Sequence, residues 1–167
     1  GLGAQGFTYL SPRVRDRLFG PLLALDVSAE WRPRSTPGLF VLARVSGARS
    51  GQSVTIAGRQ IDQTVSLVDV FMGLGWEWWW RQLRVAPWGG AGLLWARRSF
   101  SAVHEDAPGD QDSMQGLLEG GASLGWAPVR FGEISLVTSL GYSPFRQDEA
   151  SVHQAYIRLG ARAAVRF

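Results

Sequence analysis

The chain has 167 residues, a net charge of +3 and no cysteine. That is the length of one domain; the missing cysteines exclude disulfides and thiolate metal sites, and the small charge, with no basic run interleaved with stacking aromatics, argues against a nucleic-acid partner. Eight Trp and twenty-one Gly, with no stretch approaching the roughly 20 apolar residues of a membrane helix, point to apolar surface spread over many alternating strands.

The opening Gly1 to Gly6 reads like the small-residue end of a secretory signal with cleavage near Ala4, which makes residues 1–4 of a single domain spanning 1–167 either a signal remnant or only a glycine-rich start. Turn signals then cut the chain into eight predicted strands: Leu2 to Leu10, Pro21 to Arg32, Leu39 to Ala48, Gln63 to Trp80, Leu83 to Phe100, Gln115 to Ala127, Glu133 to Ser143 and Gln154 to Phe167. Connections alternate in length. Those at Pro33 to Gly38, Arg81 with Gln82, and Pro128 to Gly132 are tight. Those at Ser11 to Gly20, Arg49 to Asp62, Ser101 to Met114 and Pro144 to His153 are longer and polar. An even number of antiparallel strands with short turns on one side and long loops on the other is the plan of an outer-membrane barrel.

Side-chain alternation tests that plan without reference to the loops. The second strand sets Leu23, Leu25, Val27, Ala29 and Trp31 against Asp26, Ser28 and Glu30, and the fourth sets Val68, Val70, Met72, Leu74, Trp76, Trp78 and Trp80 against Asp69, Gly73 and Glu77. The later strands repeat the rule, and the apolar face carries one charge, Arg97, near a strand end. Phe7 and Tyr9 oppose Leu2 and Leu10, which leaves the facing of the first strand open. Trp31, Trp78, Trp80, Trp126 and Phe167 fall beside the short turns or the C-terminus, where they form an aromatic belt at one interface. Phe19, Trp95, Phe100, Tyr142 and Phe145 fall toward the long loops and make a sparser belt. The inward set holds Asp26, Glu30, Asp69, Glu77, Glu119 and Glu133 with Arg32, Arg44, Arg84, Arg98, Arg158, Arg162 and Arg166. An eight-stranded barrel is only wide enough for side chains to fill it, so these charges are expected to pair as a polar plug. A narrow ion path along the same carboxylates is the alternative.

Other chemistry is thin. Glycines 89, 90 and 92 inside a strand mark a bend or close packing rather than a phosphate loop, since no helix follows. His104 lies in an acidic loop with Glu105, Asp106, Asp110 and Asp112 whose spacing matches no EF-hand, so no metal or cofactor is expected. Arg13, Arg15 and Arg17 in the first loop, with Arg49 and Arg59 in the second, suit bidentate contact with lipid head-group phosphates.

The last thirteen residues alternate without exception: Ala155, Ile157, Leu159, Ala161, Ala163, Val165 and Phe167 on one face, Gln154, Tyr156, Arg158, Gly160, Arg162, Ala164 and Arg166 on the other. A polar residue, a Gly and spaced hydrophobics ending in an aromatic, here Arg158, Gly160, Ala163, Val165 and Phe167, resemble the C-terminal strand signal of bacterial outer-membrane barrels. Over its whole length the pattern is similar to the small OmpA-transmembrane and OmpX-type proteins. That resemblance implies an all-β, eight-stranded antiparallel up-and-down barrel in the outer membrane, inserted by the barrel assembly machinery. It implies a non-enzymatic subunit of the cell envelope that contacts lipid, lipopolysaccharide and other envelope proteins. An acyl hydrolase acting on lipid A is the alternative: Glu149, Ser151 and His153 lie on one face of an extended chain, although lipid A deacylases carry His before Ser.

Overall fold

In a computed structural model of the protein, which describes residues 1–10, 22–56, 59–101, 110–129, 131–147 and 150–165, every regular element is a β-strand. The strands are β1 (Leu2–Tyr9), β2 (Leu22–Trp31), β3 (Leu39–Ile56), β4 (Arg59–Trp76), β5 (Trp78–Trp80), β6 (Leu83–Phe100), β7 (Gln111–Val129), β8 (Gly132–Gln147) and β9 (Ala150–Val165). All neighbours are antiparallel and follow chain order. Two pairings, β1 with β9 and β4 with β6, close the sheet on itself. Strands β4 and β5 are one wall strand interrupted at Glu77, so the barrel has eight strands, as expected.

The register fixes its girth. From Phe7, hydrogen-bonded partners lead around the wall through Arg158, Ser139, Gly121, Trp88, Gly75 and Phe40, which stands one place beyond the Trp31–Val41 pair and so level with Arg32. Phe7 is itself paired directly with Leu22. The circuit therefore returns to β2 ten residues from its start, a shear that tilts eight strands by about 40° and leaves an interior that side chains can fill.

Several expected loops turn out to be sheet. The segment Arg49 to Asp62 is mostly an extension of the β3–β4 ladder, which runs unbroken from Leu39↔Trp76 to Ile56↔Arg59. Likewise β7 begins at Gln111 rather than Gln115, and β8 and β9 pair out to Gln147↔Ala150. The polar composition of Arg49 to Ser53 suits a strand that meets water on both faces, and polarity alone does not separate such a strand from a loop.

At the tight end, Arg81 adopts φ 56° within the two-residue turn joining β5 to β6, the left-handed geometry a two-residue hairpin needs. Gly38, at φ 89°, ends the turn before β3. A Cβ there would meet the Trp76 ring at 2.8 Å, so this position is closed to other residues by both backbone and space.

The facing of β1 is settled. Phe7 is 4% exposed and Leu2 68%, so Gln5 and Phe7 point into the barrel while Leu2 and Leu10 point out. The reason lies in the neighbours: the aromatic ring of Phe7 stacks on Tyr156 with centroids 4.7 Å apart.

Candidate functional site: a charged lumen inside an apolar wall

Because successive side chains of a strand alternate faces, one pattern builds two surfaces at once. The outside carries Leu23, Leu25, Val27, Val70, Met72, Leu74, Leu93, Leu118, Leu124, Ile134, Leu136, Leu140 and Leu159, all exposed. Exposed apolar surface on this scale, wrapped around a barrel, is stable only against hydrocarbon. Near the tight turns it ends in Trp31, Trp76, Trp78, Trp80 and Trp126, joined by Phe131. Phe167 lies outside the described residues. Toward the long loops the last apolar residues of β4, β6 and β7 are Val68, Trp95 and Met114, and the next outward row is polar: Arg49, Ser66, Arg97 and Asp112 stand side by side on β3, β4, β6 and β7. Arg97 donates to Asp110 at 2.9 Å, and that bond holds the Asp110 carboxyl below the usual carboxylate range. Phe100 does not join the outer belt. It shares the face of Gln63, with the Arg98 guanidinium 5.3 Å from its ring.

Inside, the charges expected from alternation meet in two clusters. The lower one, beside the tight turns, is centred on Arg84, which donates to Glu77 (2.7 Å), Glu30 (2.8 Å) and Glu133 (3.0 Å). Arg32 donates to the same Glu30 and Glu77 at 2.7 and 2.9 Å. Arg162 lies 3.6 Å from Asp26 and 3.7 Å from Glu30, and Gln5 donates to Asp26 at 2.7 Å. A cavity of about 60 Å³ opens among Ser28, Glu30, Arg32, Glu133, Ser135 and Arg162.

The upper cluster spans the lumen. Arg44 of β3 reaches across to Glu119 of β7 in a bidentate pair, both bonds 2.8 Å, and to Asp69 at 3.2 Å. Arg158 donates to Asp69 (2.8 Å) and Ser46 (3.1 Å), Ser46 donates to Asp69, and Ser139 and Tyr156 donate to Glu119 at 2.7 and 2.9 Å. Two arginines face two carboxylates here, so the cluster is neutral within itself, which is what allows charge to be buried at all. Arginine suits this work because its planar fork binds two carboxylates while its flat face stacks: Arg44 lies 4.9 Å from the Phe71 ring centroid.

Small residues make the room. At Gly90 and Gly92 a Cβ would stand 2.1 Å from the carbonyl oxygens of Met72 and Val70, so the close-packing reading holds at these two, whereas at Gly89 the nearest atom would be 3.9 Å away. Arg98 departs from the expected pattern of ion pairs. It donates to the amide oxygens of Gln63 (3.1 Å) and Gln111 (3.2 Å). Sequence reasoning also missed Trp88, which faces inward against Phe71, although its even position beside Arg84 and Ala86 carried the signal.

Of the other expected site residues, Arg49 is exposed on the wall, and Arg59 opens β4. Arg13, Arg15, Arg17, Phe19, His104, Glu105, Asp106, Glu149 and Arg166 lie outside the described residues. So do the side chains of Ser151 and His153, whose backbone pairs with Arg146 and Pro144 in the β8–β9 ladder. Among the described residues no group of His, Asp and Glu is arranged to hold a metal.

No protein-family model matches the chain, and no curated protein does. Solved structures do. The chain is similar to Neisserial surface protein A at 14% identity, with a TM-score of 0.67 over 99% of this chain and 94% of that one. It is similar to a major outer membrane protein from Thermus thermophilus at 14% identity, TM-score 0.63, over 99% and 100% of the two chains. It is also similar to the outer membrane enzyme PagL at 13% identity, TM-score 0.53, over 95% and 97%. These likenesses are of fold, that of the small eight-stranded outer-membrane barrels, and the fold is shared by a protein named as an enzyme. The function has to be argued from the surfaces.

Proposed function

We propose that the protein is a non-enzymatic outer-membrane barrel that anchors in lipid by its apolar wall and offers its loop end to lipid head groups and to other components of the envelope. The observation that carries the reading is the separation of chemistries. The exposed wall is apolar between a row of Trp and the polar row Arg49, Ser66, Arg97 and Asp112, while the carboxylates expected inside are tied to arginines. A carboxylate already held by two guanidiniums is a poor general base, so the lumen supports structure better than acid–base catalysis. Insertion by the barrel assembly machinery follows from the same reading. Arg13, Arg15 and Arg17, together with Arg49, suit the phosphates of lipopolysaccharide, because guanidinium pairs bidentately with such oxyanions.

The test is made on protein extracted from outer membranes. It should run as a heat-modifiable band and carry lipopolysaccharide whose amount falls when Arg13, Arg15, Arg17 and Arg49 are replaced by Gln. Mass spectra of lipid A should be the same with and without the protein. A loss of acyl chains from lipid A that disappears in Ser151→Ala would replace this reading with the hydrolase.

A further inference from the structure

We propose that the barrel is a latent pore sealed by one apolar septum, with water reaching that septum from both ends. The charged plug below it is a hydrated lining rather than the seal. The argument begins with the shear. Ten residues of offset spread over eight strands make each hydrogen-bonded row climb as it circles the wall, so residues at one height are found by stepping along the strands as well as across them.

Done this way, Phe7 (β1), Leu22 (β2), Ala48 (β3), Leu67 (β4), Leu94 (β6), Leu117 (β7) and Tyr156 (β9) fall within about two residue-lengths of one another along the axis. All but Ala48 are at most 4% exposed, and Ala48 packs against the buried apolar cluster to which they belong, which continues toward the tight turns through Phe71, Trp88 and Phe40. Seven of the eight wall strands thus place an apolar or aromatic side chain in one layer, which Asp69 of β4 borders from below and Ser143 of β8 from above. The eighth, β8, has Gly141 at that height, and the Tyr156 ring occupies the space its side chain would need: a Cβ on Gly141 would lie 2.0 Å from Tyr156 Cζ. The layer is complete because one strand gave up its side chain to a neighbour's ring.

Buried polar atoms that make no hydrogen bond lie to either side of this layer, Arg162 Nε with Asp26 Oδ1 and Arg158 Nε with Glu119 standing as looser ion pairs at 3.6 Å. Below lie Gln5 Oε1, Asp26 Oδ1, Arg44 Nε, Arg158 Nε and both Nε and Nη2 of Arg162; above lie Arg98 Nε and both amide atoms of Gln154. Buried donors and acceptors of this kind are satisfied by water, whereas apolar space stays dry. Arg162, 5% exposed, lines the cavity at the tight-turn end, which gives water a route to the Arg162 end of the lower group. The leucines and the Phe7 ring offer water no partner, the Tyr156 hydroxyl is turned to Glu119 on the lower side, and apolar constrictions of this kind close pores by dewetting.

Two measurements test the proposal. In the first, the wild-type protein in lipid bilayers is examined by magnetisation transfer from water to side chains in solid-state NMR. Transfer should be strong to Arg162, Arg44 and Gln154 and several-fold weaker to the methyls of Leu67, Leu94 and Leu117. Equal transfer to those leucines, or none to Arg162 and Arg44, would overturn the proposal without any variant having to fold. In the second, planar-bilayer currents are compared for two heat-modifiable variants. Arg44→Ala with Glu119→Ala removes the strut across the lumen and leaves the septum, and should stay as silent as wild type. Leu67→Ser with Leu94→Ser and Leu117→Ser breaks the septum and leaves the charges, and should raise conductance by an order of magnitude. Conduction through the first, or silence of the folded second, would show that the charged plug is the seal. A protein that fails to enter bilayers at all would instead sink the membrane-barrel reading.

Discussion

Glu119 is where removing one group should reveal how much of the barrel's stability is charge pairing. Its carboxylate accepts both forks of Arg44, the Ser139 hydroxyl and the Tyr156 hydroxyl, and it lies 3.6 Å from Arg158 Nε. Glu119→Ala leaves the buried guanidiniums of Arg44 and Arg158 sharing Asp69. Breaking a buried pair from one side costs about 3–5 kcal/mol, because the orphaned charge keeps its desolvation penalty. With a slope of about 2–3 kcal/mol per M urea, the unfolding midpoint in lipid vesicles should fall by about 1–2 M. The combination Arg44→Met with Glu119→Leu removes one charge of each sign and leaves Arg158 with Asp69. It loses the two hydroxyl bonds to Glu119, about 1 kcal/mol each, and should end below about 2 kcal/mol in total. The double variant is therefore expected to be more stable than Glu119→Ala alone. Trp fluorescence and the heat-modifiable band give the midpoints. Single effects that add up to the double within about 0.5 kcal/mol would refute the claim that these charges act as one neutral unit.

Arginine on the apolar wall should be tolerated by depth: Met72→Arg, in mid-strand, should destabilise the barrel by about 2–4 kcal/mol, and Val129→Arg, beside a tight turn, by about 1 kcal/mol or less. Cysteines introduced into this cysteine-free chain at Ser53 and Ser101 should react with an impermeant maleimide on intact cells, while those at Ser35 and Gln82 should react only after the outer membrane is breached. Deleting Phe167 should lower the heat-modifiable fraction in the outer membrane, and normal insertion without it would remove the role assigned to the terminal aromatic. The Asp110 carboxyl, held low by Arg97, contributes its pairing above the usual carboxylate range and loses it as pH falls through the depressed value; in an NMR titration Arg97→Gln should move that value upward.

What alternation governs was legible. Eight wall strands, the inward facing of Asp26, Arg44, Asp69, Glu119, Arg158 and Arg162, and the outward Trp rows all follow from a period of two that a hydrocarbon exterior makes strict. Where both faces meet water that constraint lapses, so the continuation of β3 and β4 through Arg49 to Asp62 was hidden behind a polar composition. The facing of β1 was hidden for a different reason: Phe7 is a large ring pointing inward, and only its partner Tyr156, far along the chain, shows that the lumen has an apolar level. That level depends on comparing heights on eight strands, which needs the register. Nor does sequence say which carboxylate each arginine takes, because Arg44 finds Glu119 across the lumen and not only Asp69 on the strand beside it.

The ladders of this barrel are unequal, and the inequality decides where it yields. Strands β3 and β4 are joined by eighteen consecutive pairs, whereas among the described residues β1 is held by six pairs to β2 and eight to β9. Local opening takes the path that breaks fewest bonds, so the amides of β1 should exchange with deuterium before those of β4, in a unit of their own. A strand that lifts there takes Phe7 away from Tyr156 and Gln5 away from Asp26. Among the described residues the shortest ladder between wall strands, β1 to β2, adjoins the seam that completes the cylinder, and each excursion there loosens the middle of the lumen while the long β3–β4 hairpin stays rigid.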